Sequence, residues 1–326
     1  MSRNNKELPI WHFAYLILFI ALIQPVLLNA GIWEEVDHGF VDNDGVKIHY
    51  ASVGKGPLVV MIHGFPDFWY TWRHQMAALK SDFKVVAMDQ RGYNLSGQPE
   101  EPEAYEMSQL ISDVAAVIKH FGESRATIVG HDWGGAVAWQ FAFAYPKMTQ
   151  NLVILNLPHP TGFTRELIRN HNQRSNSAYA QVFKKGKATD PDIFFGRPMT
   201  AENLAGWVTD PEAKQHYISA FQRSNFESML QIYKRNYPDL PDMDTPIPSN
   251  TVTLQCPTLV FHGLKDQALH SDGLNNTWDW INADFTLVTI PEAGHFVQND
   301  APNKVSNTLK WWLLSVTNQT SIQRED

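Results

Sequence analysis

The chain has 326 residues, 44% of them apolar and 12% aromatic, which suits one large α/β domain carrying a smaller insertion. A formal net charge of −8 argues against nucleic acid or an anionic membrane surface as a partner. The single cysteine, Cys256, rules out a disulfide framework and a cysteine-based metal site, and it falls in a run that reads as buried strand.

Residues 1–30 read as a targeting segment rather than as part of the fold. Arg3 and Lys6 precede the apolar run Phe13 to Ile23, Gln24-Pro25 interrupts it, and Asn29-Ala30-Gly31 supplies a small-residue exit. That pattern is an export signal, so the protein is expected in the periplasm or secreted. Leu28 suits a cleavage site poorly, and the apolar stretch is about 16 residues long, so an uncleaved anchor over residues 13–29 stays open. Only in that case would the membrane be a partner.

The remaining elements follow in chain order. Gly39-Phe40-Val41 and Val46 to Tyr50 flank Asp42-Asn43-Asp44-Gly45, a hairpin signal. Leu58 to Ile62 is continuously apolar, as a strand covered on both faces must be, and it leads into His63-Gly64-Phe65-Pro66. A helical segment over Tyr70–Leu79, a strand over Lys84–Met88 and a helix over Met107–His120 come next, the last with Leu110, Val114 and Val117 on one side. Strands are expected again at Ala126–Val129 and Leu152–Leu155. From about Gly162 to Pro248 no buried strand is legible, and residues 161–248 read as an inserted helical cap between core segments 31–160 and 249–318, with a tail at 319–326. The Lys184-Lys185-Gly186-Lys187 run inside the insertion reads as a solvated loop. Strands at Thr258–Phe261 and Phe285–Ile290 and a helix from Asn303 to Leu314 complete the alternation, which implies right-handed crossovers and a mostly parallel sheet.

The chemistry concentrates after the strand at Ala126. Gly130-His131-Asp132-Trp133-Gly134-Gly135 has the strand, Gly-x-x-x-Gly and helix of a nucleophile elbow, with Asp132 at its centre. The plain alternative makes Asp132 an N-cap of the helix that follows. Asp266 and His295 lie just past the ends of the last two strands, at the sheet edge where ligands gather. Nucleophile, acid and histidine in that order is the chain order of a hydrolase triad. The other histidines show no metal-binding spacing, and no glycine-rich phosphate cradle occurs, so no metal and no cofactor is expected.

On these motifs, residues 33–316 resemble the α/β-hydrolase fold and its epoxide hydrolase branch. The resemblance is carried by His63-Gly64-Phe65-Pro66 with Trp69-Tyr70 and Trp72-Arg73, by Gly92-Tyr93-Asn94-Leu95-Ser96, by the Asp132 elbow, and by Gly294-His295-Phe296. It implies a small apolar epoxide and water as substrates. Asp132 would form an ester with an epoxide carbon, and His295, oriented by Asp266, would activate the water that hydrolyses it. The backbone N–H groups of Phe65 and Trp133 would meet the oxyanion. The family's two ring-opening tyrosines map onto Tyr233, in Ile232-Tyr233-Lys234-Arg235-Asn236, and Tyr179, in Ser177-Ala178-Tyr179-Ala180. The family's Gln-Glu-Pro-Gly continuation after the first motif is Lys184-Lys185-Gly186 here, and Tyr217 and Tyr237 compete for the role. The nearest rival is a dehalogenase on the same fold. Phe65 stands where haloalkane dehalogenases usually have a halide-binding Asn, and Trp133–Val137 lacks the arginines of fluoroacetate dehalogenases. Asn156 also occupies the position where several dehalogenases carry their triad acid. A catalytically silent binding protein is the remaining alternative, and the complete triad speaks against it.

Overall fold

The computed structural model describes residues 31–248 and 251–322, with side chains as far as 317. Eight strands are present: β1 (Asp37–Asn43), β2 (Val46–Val53), β3 (Leu58–Ile62), β4 (Lys84–Met88), β5 (Ala126–His131), β6 (Thr149–Leu155), β7 (Thr258–Gly263) and β8 (Phe285–Ile290). They form one sheet in the order β1-β2-β4-β3-β5-β6-β7-β8. β2 runs antiparallel to β1 and to β4, and every other neighbouring pair is parallel. β3, β5 and β7 are buried along their whole length, as their unbroken apolar runs require with helices on both faces. Each fully buried Val, Ile or Leu there contributes about 1.5–3 kcal/mol through removal from water. β8 closes the edge and is only partly covered.

The crossover from β6 to β7 is long and, among the described residues, made of helices and loops with one isolated bridge at Leu254. Its main helices are Pro160–Arg169, His171–Asn176, Ala178–Lys185, Pro211–Arg223 and Phe226–Asn236. Short polar residues start them: Asn170, Asp210 and Asn225 each accept a backbone N–H of the first turn. Helix Phe226–Asn236 is amphipathic and buries Met229, Leu230, Ile232 and Tyr233. The insertion is seated on the sheet's carboxyl edge. Trp207 stacks on Phe296 at 3.6 Å and 2° and donates its indole N–H to Pro66 O at 3.3 Å, while Arg223 donates to Asn94 Oδ1 at 2.9 Å.

Some expectations need correction. The chain enters through a short helix, Ile32–Glu35, before a hairpin longer than the turn signal implied. Cys256 is buried but lies in a bend ahead of β7, not in a strand. Lys184 and Lys185 are not in a loop: they close helix Ala178–Lys185, and Lys184 donates to Tyr237 O at 2.9 Å and to the Asp239 carboxylate at 2.8 Å. The basic residues thus sit at the negative end of a helix dipole. The final helix runs from Pro302 to Ile322, into the stretch expected as a tail. The targeting segment, residues 1–30, lies outside the described residues. Among the described residues, no helix is long and apolar enough to cross a membrane.

Candidate active site

β5 ends at His131 and helix Trp133–Ala144 begins two residues later, so the whole turn falls on Asp132. Asp132 takes φ +52° and ψ −120°, and its side chain makes no capping bond to the helix. The capping alternative therefore fails. Such a backbone costs about 1–3 kcal/mol for a residue with a Cβ and persists only where the surroundings enforce it. Here they do. A Cβ on Gly130 would lie 2.2 Å from Gly134 O, and one on Gly134 would lie 2.1 Å from Ile62 O, so the turn closes only with glycine at both.

The turn aims the carboxylate at two partners. Oδ1 accepts the Phe65 N–H at 2.8 Å, and Oδ2 lies 3.5 Å from His295 Nε2. His295 Nδ1 in turn sits 2.9 Å from Asp266 Oδ2. Asp266 follows β7 and is held by four bonds altogether. Its Oδ1 accepts the N–H groups of Ala268 at 2.7 Å and Leu269 at 3.1 Å, and its Oδ2 also accepts Asn156 Nδ2 at 2.7 Å.

Charge follows from these contacts. Burial works against ionisation of Asp266, but the His295 charge and the bonds from His295 and Asn156 outweigh it and hold the carboxyl well below the usual range. Asp132 is lowered too: burial again opposes, and His295, His131 and the Phe65 N–H prevail. For His295 burial favours the neutral ring, yet the two carboxylates raise its pKa well above the ordinary value. His131, which touches His295 O at 2.8 Å, is pushed down to about 4 by burial and by the His295 charge.

Above the triad stand two tyrosines. Tyr233 is fully buried and Tyr179 partly so, their rings 6.2 Å apart. Burial first, and then the nearby Asp132 charge, push both hydroxyls well above the ordinary phenol range, so both carry their protons. The pair separates two cavities and lines both. The smaller, about 200 Å³, opens on Asp132 and is walled by Ala136, Leu157, Pro158, Phe163 and Leu269. The larger, about 850 Å³, opens on His295 and Asp266 and is walled by Phe65, Phe194, Phe195, Trp207 and Phe296.

Comparison with known proteins agrees with this architecture. Residues 57–302 match the alpha/beta hydrolase fold family. The chain is 31% identical to human epoxide hydrolase 4 over 287 residues, covering 84% of this chain and 77% of that protein. The mouse epoxide hydrolase 4 is 30% identical over 298 residues, 84% of this chain and 78% of its own. Among solved structures, a Bacillus megaterium epoxide hydrolase bound to an inhibitor superposes with a TM-score of 0.75 at 32% identity, covering 85% of this chain and 100% of that one. The chain is an α/β-hydrolase of the epoxide hydrolase family.

Within this hydrolase, Asp132, Asp266, His295, Phe65, Tyr179 and Tyr233 lie together around the two cavities. Trp133 is the first residue of its helix, where backbone N–H groups have no intrahelical acceptor. Its ring packs edge-on against Tyr233 at 5.0 Å. Of the competing tyrosines, Tyr237 lines the smaller cavity with its hydroxyl bonded to Ser177. Tyr217 lies away from both cavities, beside the buried carboxyl of Asp67. Asn156 was legible only as the place where a different acid was missing. In the fold it takes φ +44° and bridges three strand ends, donating to Asp266 Oδ2 and, at 3.1 Å, to Gly294 O, and accepting Gly263 N–H at 3.2 Å.

Proposed function

We propose that this hydrolase opens an epoxide to a vicinal diol through an ester on Asp132. The observation that carries the reading is the division of labour on one carboxylate: Oδ1 is engaged by the Phe65 N–H while Oδ2 is left for the substrate. Oδ2 attacks an epoxide carbon, the ring C–O bond breaks, and the alkoxide takes a proton from Tyr233 or Tyr179. Water then attacks the ester carbonyl as His295 Nε2 removes its proton. Oδ1 becomes the oxyanion, met by Phe65 N–H and by Trp133 N–H at the helix N-terminus. Collapse breaks the bond to Oδ2, passes the remaining proton of the water to the departing alkoxide, releases the diol and restores the carboxylate beside a protonated His295. The helical insertion serves as the cap that supplies the acids, and residues 1–30 serve as its export signal.

The charges favour this order of events. While Asp132 is ionised, two carboxylates hold His295 in its protonated form. Forming the ester removes one of those charges, which lowers the His295 pKa, so the ring passes its proton to the tyrosinate left by ring opening and becomes a base only when there is an ester to hydrolyse. Family membership supports the substrate class, since the relatives named above are epoxide hydrolases.

The test is the intact mass of the His295→Ala variant after mixing with styrene oxide. The expected result is a gain of one substrate mass, with peptide mapping placing the adduct on Asp132. An adduct on another residue, or none while wild type turns over the epoxide, would overturn the mechanism.

A further inference from the structure

Between helices Ala178–Lys185 and Ala201–Leu204 the chain reverses in a two-residue turn at Phe195-Gly196. Arg197 N–H donates to Phe194 O at 3.1 Å, and Phe194 N–H donates to Arg197 O at 2.9 Å, which closes the turn from both sides. Both central residues have positive φ, +52° and +77°. Gly, Asn and Asp fill such positions readily, whereas a bulky side chain is strained there. Phe195 is also 63% exposed, so burial does not compensate for the strain. On stability alone, glycine or asparagine would serve this turn better.

What the ring does contact is the site. It lies 5.3 Å and 37° from Tyr179, 5.7 Å and 76° from Phe183, and it lines the larger cavity on which His295 opens. The other rings of that wall are backed by protein. Phe65 is buried, and Trp207 and Phe296 are stacked on one another. Phe194 is half-buried beside Phe183, so Phe195 is the exposed ring of that wall.

We propose that Phe195 is a specificity-determining residue, held in a strained turn so that its free face packs on an aromatic substituent of the epoxide. The larger, aromatic-walled cavity receives that aryl group, and the smaller one receives hydrogen or a short chain from the other epoxide carbon. The assignment rests on the epoxide hydrolase reading and names its substrate class. Local consistency is broken at one residue of a catalytic cavity wall, which is where a functional demand overrides stability.

The experiment compares kcat/KM for styrene oxide and for 1,2-epoxybutane in wild type, Phe195→Gly and Phe195→Leu. For Phe195→Gly the expected result is about a tenfold loss on styrene oxide, carried by KM, with epoxybutane within about twofold of wild type. Its Tm should be equal or higher, because glycine relieves the turn. Phe195→Leu keeps apolar surface without the ring face and should fall between. Phe195→Asn suits the same backbone and repeats the test if glycine loosens the turn. An equal fall on both epoxides would make Phe195 a mere support for Tyr179 and overturn the proposal, as would no change on either. Wild type inactive on both epoxides would instead overturn the epoxide reading itself.

Discussion

The carboxyl of Asp67 lies two residues beyond Phe65 and is wholly buried. Its Oδ1 accepts the Phe68 N–H at 2.8 Å, while Oδ2 and the neighbouring Tyr217 hydroxyl are both left without a well-formed partner. Burial outweighs the help of Thr71, Phe68, Tyr217 and Arg73 and pushes the Asp67 pKa up to about 7, from 3.8. Folded protein therefore binds a proton that unfolded protein has released between those two values. The contribution of Asp67 to stability is complete below pH 4 and is lost as pH rises through 7, and the shift of roughly three units corresponds to about 4 kcal/mol. Asp67→Asn keeps the shape, cannot ionise, and can donate its amide to Tyr217 or Thr71. Urea unfolding of both proteins from pH 4 to pH 9 should show the variant gaining on wild type across this window and then holding a constant lead. Every other titrating group cancels in that difference. Parallel stability curves would refute the reasoning and show that Asp67 is ionised in the native state.

Three further outcomes follow from the geometry. Tyr233→Phe and Tyr179→Phe should each lower the rate of ester formation by about 10²–10⁴-fold if the hydroxyl donates the proton, whereas Tyr237→Phe should stay within a few-fold; rapid-quench measurement of the adduct decides it. Asn156→Ala removes a 2.7 Å bond to an ionised Asp266, worth about 1.5–3 kcal/mol, so ester hydrolysis should slow by about ten- to hundredfold while alkylation is unchanged. A defect in alkylation alone would count against its role as a positioning residue for Asp266. Gly134→Ala would place a methyl 2.1 Å and 2.5 Å from the Ile62 and His63 carbonyls, backbone that cannot yield, and should cost more than about 4 kcal/mol. Loss of the cooperative thermal transition is the measurement, and a native-like Tm would refute it.

Much of this molecule was legible in one dimension because the central strands of its sheet are buried on both faces. β3 and β4 have the bounds that their apolar runs predict, since a central strand tolerates few polar residues, and β8 has its expected bounds although it is a partly covered edge strand. β5 and β7 run two residues further than their apolar runs, through Gly130-His131 and His262-Gly263, because pairing continues past the last apolar side chain. The triad was legible for the same reason: each member stands immediately past a recognisable strand, and parallel strands deliver their ends to one edge. What stayed hidden depends on contacts between distant segments. Asn156 meets Asp266 across 110 positions of sequence, and no local pattern foretells that. The same holds for Lys184, whose partner Asp239 is 55 residues on. Tyr217 looked eligible as an acid until the rotation of helix Pro211–Arg223 turned it toward Asp67.

The Tyr179–Tyr233 partition separates two kinds of evolutionary freedom. Beneath it, the reacting groups hang from strand ends that are bonded to one another through Asn156. Above it, much of the wall that meets a substrate comes from loops and helices of a single insertion. A lineage can thus alter the insertion residue by residue without disturbing the bonds that hold Asp266 and His295 in place.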